Sequence, residues 1–301
     1  MNLKSEKMGI LKRGSQGESV KILQRFLGLK DDGDFGAKTE IAVFDFQMKN
    51  GLKADGIVGS KTWNFLALAT TDNSETSYKT KSGLWIKPNY MDQDEYSSKI
   101  TDKEYLFIHH TAGWNNPYDS IRGWNNDSRG IVGTEFVMGG QNIRNNNDKY
   151  DGEVLQAFPE GYYGWHLGKN GNQKMHTNSV GIEICNFGQL KNGKTWSGAK
   201  AHKDQIVKLD KPFRGFSEFH RYSDDQIKNL EKLIKHISSR DGIDVRKGLP
   251  ALVKKIGVKA FEFQSDAYYG RVKGLWTHTN TRKDKFDCFP QPELLDMLVS
   301  L

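Results

Sequence analysis

The chain has 301 residues, of which 36% are hydrophobic and 27% charged, a composition typical of soluble globular proteins. Its length predicts about two domains, and the absence of any run of 18 apolar residues excludes a membrane-spanning helix, so we expect no membrane insertion. The formal net charge of +7 favours an anionic partner such as nucleic acid, a membrane surface or a wall polymer.

The first 70 residues contain a short internal repeat. Residues 32–39 (DGDFGAKT) recur, with changes, as residues 55–62 (DGIVGSKT), 23 residues later. Each copy has an Asp-Gly pair that favours a tight turn, followed by the start of a helix. Apolar residues also occur at helical spacing over residues 20–27. Together these patterns predict three short helices over about residues 10–69.

A polar segment separates this region from the rest of the chain. Residues 70–83 are rich in Thr, Ser, Asn and Lys and lack apolar periodicity, which predicts a linker. From residue 84 onwards short apolar runs predict buried strands at 105–108, 136–138, 154–158, 180–184 and 273–277. Helices are predicted from a capping box at Ser223–Gln226 to about Arg240, at 249–256 and at 292–298. This mixture predicts an α/β or α+β domain with a mixed central sheet flanked by helices.

Potential metal ligands follow two of the predicted strands. His109 and His110 end the strand at 105–108, and His278 ends the strand at 273–277. Asp287 and Cys288 come about ten residues later. Two imidazoles with one thiolate or carboxylate form a three-ligand zinc site, which leaves one position for water. The spacing itself leaves the choice between Asp287 and Cys288 open.

The repeat region resembles a known wall-binding family. Its glycines, turn aspartates and apolar positions follow the pattern of the three-helix peptidoglycan-binding domain. The residues that carry this resemblance include Leu23-Gln24, Asp32-Gly33, Phe46-Gln47, Asp55-Gly56 and Thr62-Trp63. The resemblance implies an all-α peptidoglycan-binding domain at residues 1–69.

Residues 84–301 are similar to the zinc-dependent N-acetylmuramoyl-L-alanine amidases. Four motifs occur in the family's order, at Ile108–Ala112, Gly164–Gly168, Asn178–Glu183 and His278–Pro290. The resemblance implies a zinc amidase catalytic domain that shares its α/β fold with the peptidoglycan recognition proteins.

The resemblance also implies a set of metal ligands, for Zn²⁺. His109 and His278 match the two histidine positions, and relatives with an Asp-Cys pair use the cysteine. We therefore favour Cys288 as the third ligand, with Asp287 as the alternative, because a soft thiolate suits zinc better than a carboxylate. The family's lysine lies two residues before the third ligand. Lys285 lies two residues before Asp287 but three before Cys288, so this register is ambiguous.

Further roles are implied for residues near the metal. Glu183 would be the general base that takes the proton of the attacking water. Lys285 would stabilise the oxyanion of the tetrahedral intermediate. Trp165, His166 and His110 are expected to line the substrate site. A tyrosine that assists catalysis in some relatives is absent, since the corresponding strand reads Thr134-Glu135-Phe136.

The expected function is hydrolysis of the amide bond between N-acetylmuramic acid and L-alanine in peptidoglycan. A non-catalytic peptidoglycan-binding protein on the same fold and a bacterial autolysin are the alternatives. No clustered basic helix occurs, so we expect no nucleic-acid partner. The module order, and an N-terminus at residues 1–7 without an apolar signal core, predict a phage endolysin. Such an enzyme would be a monomer made in the host cytoplasm and released through a holin pore.

Overall fold

The computed structural model describes residues 9–27, 29–49, 52–59, 61–63, 77–144 and 148–301. The chain divides into two compact units, Met1–Thr76 and Ser77–Leu301. No helix among the described residues is long and apolar enough to cross a bilayer.

The first unit is helical, as expected. Its helices include Glu18–Phe26 and Ala37–Lys49, and residues 61–63 are also helical. The remainder of the predicted third helix, 64–69, lies outside the described residues. The core of the unit is formed by buried side chains that include Leu11, Val20, Leu23, Phe35, Val43, Val58 and Trp63.

The internal repeat is also a repeat of hydrogen bonds. The side-chain oxygen of Gln24 accepts from the N–H of Gly33 at 2.8 Å, and that of Gln47 accepts from Gly56 at 2.9 Å. Each glutamine amide also donates to the aspartate before that glycine, at 2.7 and 3.2 Å. Both glycines have positive φ, at 79° and 69°, which is why glycine recurs there. The two turns are therefore held by the same glutamine-centred network.

The second unit is built on a mixed sheet. Within the described residues seven strands pair in the order β1-β2-β5-β4-β6-β3-β10, with parallel and antiparallel neighbours. They are β1 Tyr78–Lys79, β2 Trp85–Pro88, β3 Tyr105–His110, β4 Phe136–Met138, β5 Val154–Gln156, β6 Ser179–Ile184 and β10 Gly274–Thr277. β1 lies within the segment that we assigned to the linker at 70–83. Since β1 pairs with β2, this part of the segment belongs to the second unit. Residues 70–76 of that segment lie outside the described residues.

Helices pack against this sheet and complete the expected α/β domain. The helix Asp224–Asp241 begins at the predicted capping box, since Ser223 Oγ accepts from the N–H of Gln226 at 3.0 Å. Its apolar face buries Leu230 and Leu233 in the main core. The other helices are Pro117–Asn126, Lys174–Thr177, Leu249–Ile256, Ser265–Tyr268, His278–Thr281 and Pro292–Ser300.

A second, smaller sheet occupies the segment at about 190–222, for which the sequence suggested no role. Its described strands are β7 Gln189–Leu190, β8 Ile206–Phe213 and β9 Phe216–His220, in the order β7-β9-β8. β8 and β9 form a hairpin whose tight turn is Arg214-Gly215, with φ of 49° and 85°. This hairpin brings Arg214 to the loop that follows His278.

Candidate active site

The two predicted histidine ligands meet because their strands are parallel neighbours. β3 and β10 pair in parallel with Thr277 opposite Ile108, so His278 follows at the level of His109. Both side chains are buried, and their ring centroids are 4.7 Å apart. The carboxyl ends of neighbouring parallel strands lie at the same edge of a sheet, which explains why residues far apart in sequence share one site.

Asp287 completes the cluster. Its Oδ2 lies 3.2 Å from Nδ1 of His109 and 3.1 Å from Nδ1 of His278. The potential ligand atoms of these three residues all lie within 4.8 Å of one another. The two imidazoles hold the pKa of the Asp287 carboxyl well below its usual range, although burial opposes this. A buried carboxylate thus faces two ring nitrogens.

The donor chemistry of this cluster fits a cation. Nε2 of His278 lies 3.0 Å from the carbonyl oxygen of Leu167, which can only accept, so Nε2 carries the hydrogen. When the ring is neutral, the lone pair of Nδ1 then faces Asp287. Burial lowers the pKa of His109 to about 4, which favours its neutral ring as well. Two imidazole nitrogens and one carboxylate oxygen are a ligand set that suits Zn²⁺ with an open position.

The geometry favours Asp287 over Cys288, which the sequence led us to prefer as the third ligand. The Cys288 thiol is fully buried, and its hydrogen-bonding partner is the Tyr222 hydroxyl rather than the histidine cluster. Among the described residues, an Asp287 carboxylate oxygen lies with the ring nitrogens of His109 and His278 in one group of potential ligand atoms, and the Cys288 Sγ does not belong to that group. The geometry therefore favours Asp287, the alternative that placed Lys285 two residues before the ligand.

Glu183 lies beside the cluster, as expected for a residue that acts on a bound water. It is the partner of His109 in the pairing of β6 with β3, and it lines the same cavity. Burial raises the pKa of the Glu183 carboxyl well above its usual range, and the nearby Asp287 carboxylate adds to this. Arg129 and Lys285 oppose the shift, since both cations lie on the cavity wall.

The cluster opens into a cavity of about 760 Å³. Trp114, Trp124 and Trp165 contribute to its wall, together with Lys285. Trp165 is 50% exposed, and its ring stacks on that of His176 with centroids 5.1 Å apart. Large aromatic faces combined with a few charged groups are typical of sites that bind extended polar ligands.

His166 and His110 both line the cavity, as expected, and their rings also contact other buried side chains. His166 touches the cavity wall, but its Nδ1 lies 2.9 Å from Nε2 of His109. His110 also contributes to the cavity wall, although alternation along β3 directs its ring away from that of His109. Its Nδ1 lies 2.7 Å from the buried Tyr222 hydroxyl. One ring nitrogen of each histidine is therefore engaged within the protein, that of His166 with His109 and that of His110 with Tyr222.

Sequence reasoning missed Arg214, which holds the loop between His278 and Asp287. Its guanidinium donates to the carbonyl oxygens of Thr279 and Arg282, both at 3.0 Å, and to those of Lys283 and Lys285. The arginine side chain is only 9% exposed. The signal in the sequence is weak: the Arg214-Gly215 pair is consistent with a tight turn, because glycine favours turns.

Comparison with known sequences identifies two families. Residues 16–66 match the family described as "Putative peptidoglycan binding domain". Residues 99–257, more than half of the chain, match the family described as "N-acetylmuramoyl-L-alanine amidase". The second match includes His109 and Glu183 and ends before His278.

Individual relatives match over short stretches. The "Probable N-acetylmuramoyl-L-alanine amidase" of Bacillus licheniformis is 39% identical over 88 residues, which cover 27% of this chain and 23% of that protein. The zinc D-Ala-D-Ala carboxypeptidase of Streptomyces albus G is 47% identical over 64 residues, covering 19% of this chain and 25% of the other. The chain spans about half the length, or less, of the curated relatives that it matches.

A solved structure gives a further similarity. The endolysine N-acetylmuramoyl-L-alanine amidase LysCS from Clostridium intestinale URNW is 14% identical, with a TM-score of 0.37. The match covers 74% of this chain and 96% of that one.

Proposed function

This chain belongs to the N-acetylmuramoyl-L-alanine amidase family, and we propose that it hydrolyses the amide bond between N-acetylmuramic acid and L-alanine in peptidoglycan, using Zn²⁺. The observation that carries the proposal is the convergence of His109, His278 and Asp287 beside the Glu183 carboxylate. A cation-binding cluster with an adjacent carboxylate is what the hydrolysis of an unreactive amide requires.

The cavity would place the scissile bond against this cluster. A zinc ion held by His109, His278 and Asp287 would lower the pKa of a bound water and polarise the scissile carbonyl. Glu183 accepts the proton of the attacking water and returns it to the leaving amine of L-alanine.

Lys285 contributes positive charge to the wall of the cavity that Glu183 also lines. Its ammonium lines the cavity two residues before Asp287 and would stabilise the negative charge that develops on the carbonyl oxygen. Trp165, half-exposed on the cavity wall, would pack against a sugar ring or the stem peptide.

The helical unit would hold the enzyme on its polymeric substrate. The family match at residues 16–66 supports peptidoglycan as the partner, and the positive net charge would favour association with anionic wall polymers. The order of the two modules is consistent with an endolysin that reaches the wall through a holin pore, and a bacterial autolysin is the alternative. Lysis on induction only when a holin is co-expressed would support the endolysin role.

The reaction can be tested on purified peptidoglycan digested with and without a zinc chelator. The proposal predicts free stem peptides that begin with L-alanine, lost with the chelator and restored by added zinc. New reducing sugar ends would indicate a glycosidase and contradict the proposal. Wall binding without cleavage would mean that the fold serves as a recognition module in this protein.

A further inference from the structure

The outer nitrogen of His109 begins a chain of hydrogen bonds that leads away from the cavity. Nε2 of His109 lies 2.9 Å from Nδ1 of His166, and Nε2 of His166 lies 2.8 Å from Oγ of Ser179. The Ser179 hydroxyl donates to the carbonyl oxygen of Met175. Two side chains, those of His166 and Ser179, thus connect a proposed metal ligand to one backbone carbonyl.

Counting hydrogens along this chain fixes the direction of each bond. Ser179 has a single hydroxyl hydrogen, and the Met175 carbonyl can only accept, so that hydrogen is committed to Met175. The Ser179 oxygen therefore accepts from His166, whose Nε2 carries the hydrogen. A neutral His166 then presents the lone pair of Nδ1 to His109, and Nε2 of His109 must donate to it.

The consequence falls on the inner nitrogen of His109. A neutral imidazole with its hydrogen on Nε2 has a lone pair on Nδ1, and this is the nitrogen that faces Asp287. We propose that His166 and Ser179 are positioning residues that hold His109 in the Nε2–H form and thereby set the affinity of the cluster for its cation. This inference rests on the proposed metal-dependent function and assigns His166 and Ser179 to the support of a metal ligand.

The same short segment serves both histidine ligands in different ways. His166 holds Nε2 of His109 with its side chain, whereas the next residue, Leu167, holds Nε2 of His278 with its carbonyl oxygen at 3.0 Å. A backbone carbonyl is present whatever the side chain, so the form of His278 is independent of substitutions here. Changes at His166 or Ser179 should therefore affect His109 alone.

Strand β6, which lies beside this chain of hydrogen bonds, has a glycine where the His166 ring packs. A Cβ added at Gly181 would lie 3.2 Å from Cγ of His166 and 2.7 Å from Cγ2 of Thr134. Glycine at this position lets the imidazole pack directly over β6, in line between His109 and Ser179. Gly181 is thus a packing requirement for the orientation of His166.

Removal of the Ser179 hydroxyl would release the constraint on the hydrogen positions of His166 and His109. In Ser179→Ala, the hydrogen of His166 can move to Nδ1 and be donated to His109. His109 would then accept at Nε2 and carry its own hydrogen on Nδ1, where it blocks the metal. Outer hydrogen-bond partners of metal ligands typically change metal affinity by about 10–100-fold when they are removed.

The test uses the full chain and two readouts. Zinc affinity is measured by competition with a chromogenic chelator, and the hydrogen position on His109 is read from ¹⁵N chemical shifts of the metal-free protein. We expect Ser179→Ala and His166→Phe to weaken zinc binding about 10–100-fold and to shift His109 towards the Nδ1–H form. His166→Gln, whose amide oxygen can still accept from His109, should recover part of the affinity.

Ser238→Ala is the matched control, because Ser238 also donates to a backbone carbonyl, that of Ile243 at 2.7 Å. It should leave both readouts unchanged. Wild-type zinc affinity, or an unchanged Nε2–H form of His109, in both Ser179→Ala and His166→Phe would overturn the inference. A wild-type chain that binds no zinc would contradict the proposed function, whereas the ¹⁵N measurement would still decide the role of Ser179.

Discussion

Arg214 offers a direct test of how the small sheet contributes to the active site. Its guanidinium donates to four carbonyl oxygens of the segment from Thr279 to Lys285, which lies between two proposed metal ligands. Its ion pair with Glu262, at 3.4 Å, adds little because that carboxylate is 52% exposed. Arg214→Ala would therefore release the segment chiefly through the loss of these hydrogen bonds.

The expected magnitude follows from the number and kind of these bonds. A hydrogen bond to a charged group contributes about 1.5–3 kcal/mol, and since four acceptors share one cation we expect a local loss of about 3 kcal/mol. Amide hydrogens in residues 279–287 should then exchange about 100-fold faster through local opening. Turnover should also fall, because Lys285 and Asp287 would no longer be held in place. Arg214→Lys should restore part of the protection from amide exchange and part of the turnover.

Hydrogen exchange followed by mass spectrometry, combined with turnover on peptidoglycan, measures both effects. Arg271→Ala is the control, since Arg271 is 58% exposed and its ion pair with Asp266 lies on the surface. Wild-type exchange in residues 279–287 together with wild-type turnover in Arg214→Ala would refute the idea that this hairpin stabilises the catalytic segment.

Three further predictions concern individual carboxyl groups and the cysteine. Asp287→Ala should abolish tight zinc binding, whereas Cys288→Ala should keep it, as measured by metal content after dialysis; the reverse result would restore the thiolate assignment. Glu183→Gln should retain zinc but lose about 10²–10⁴-fold in turnover, and near-normal rates would remove it as the base. Burial raises the pKa of Asp151 to about 6, so its ionised form destabilises the fold above that pH. Asp151→Asn should therefore raise the free energy of unfolding by about 1 kcal/mol at pH 8, after allowance for partial exposure, and by nothing near pH 3, as measured by urea denaturation.

Much of the second unit could be predicted from sequence because its elements have strong local patterns. The buried strand Tyr105–His110 is a continuous apolar run with histidines at its end, and Ser223 begins its helix with a complete capping box. The parallel pairing of β3 with β10 then brings His109 to His278, as expected of two strand-end residues.

The remaining features of the candidate site depend on the directions of side chains, which local sequence patterns do not determine. Asp287 and Cys288 are adjacent, and only the path of the loop decides which side chain faces the histidines. His166 lines the cavity, as its motif suggests, and its ring also contacts His109 because Gly181 leaves room for it. The contacts of Arg214 join residues 65 or more positions apart, a separation at which sequence periodicity carries no information.

X-ray absorption spectroscopy of the zinc-loaded protein tests the central claim most directly. His109, His278 and Asp287 as ligands predict a shell of nitrogen and oxygen atoms only, at about 2.0–2.2 Å from the metal. A sulfur atom at about 2.3 Å would place Cys288 in the site and contradict the assignment. Zinc that remains bound in His278→Ala with an unchanged shell would contradict the metal site itself.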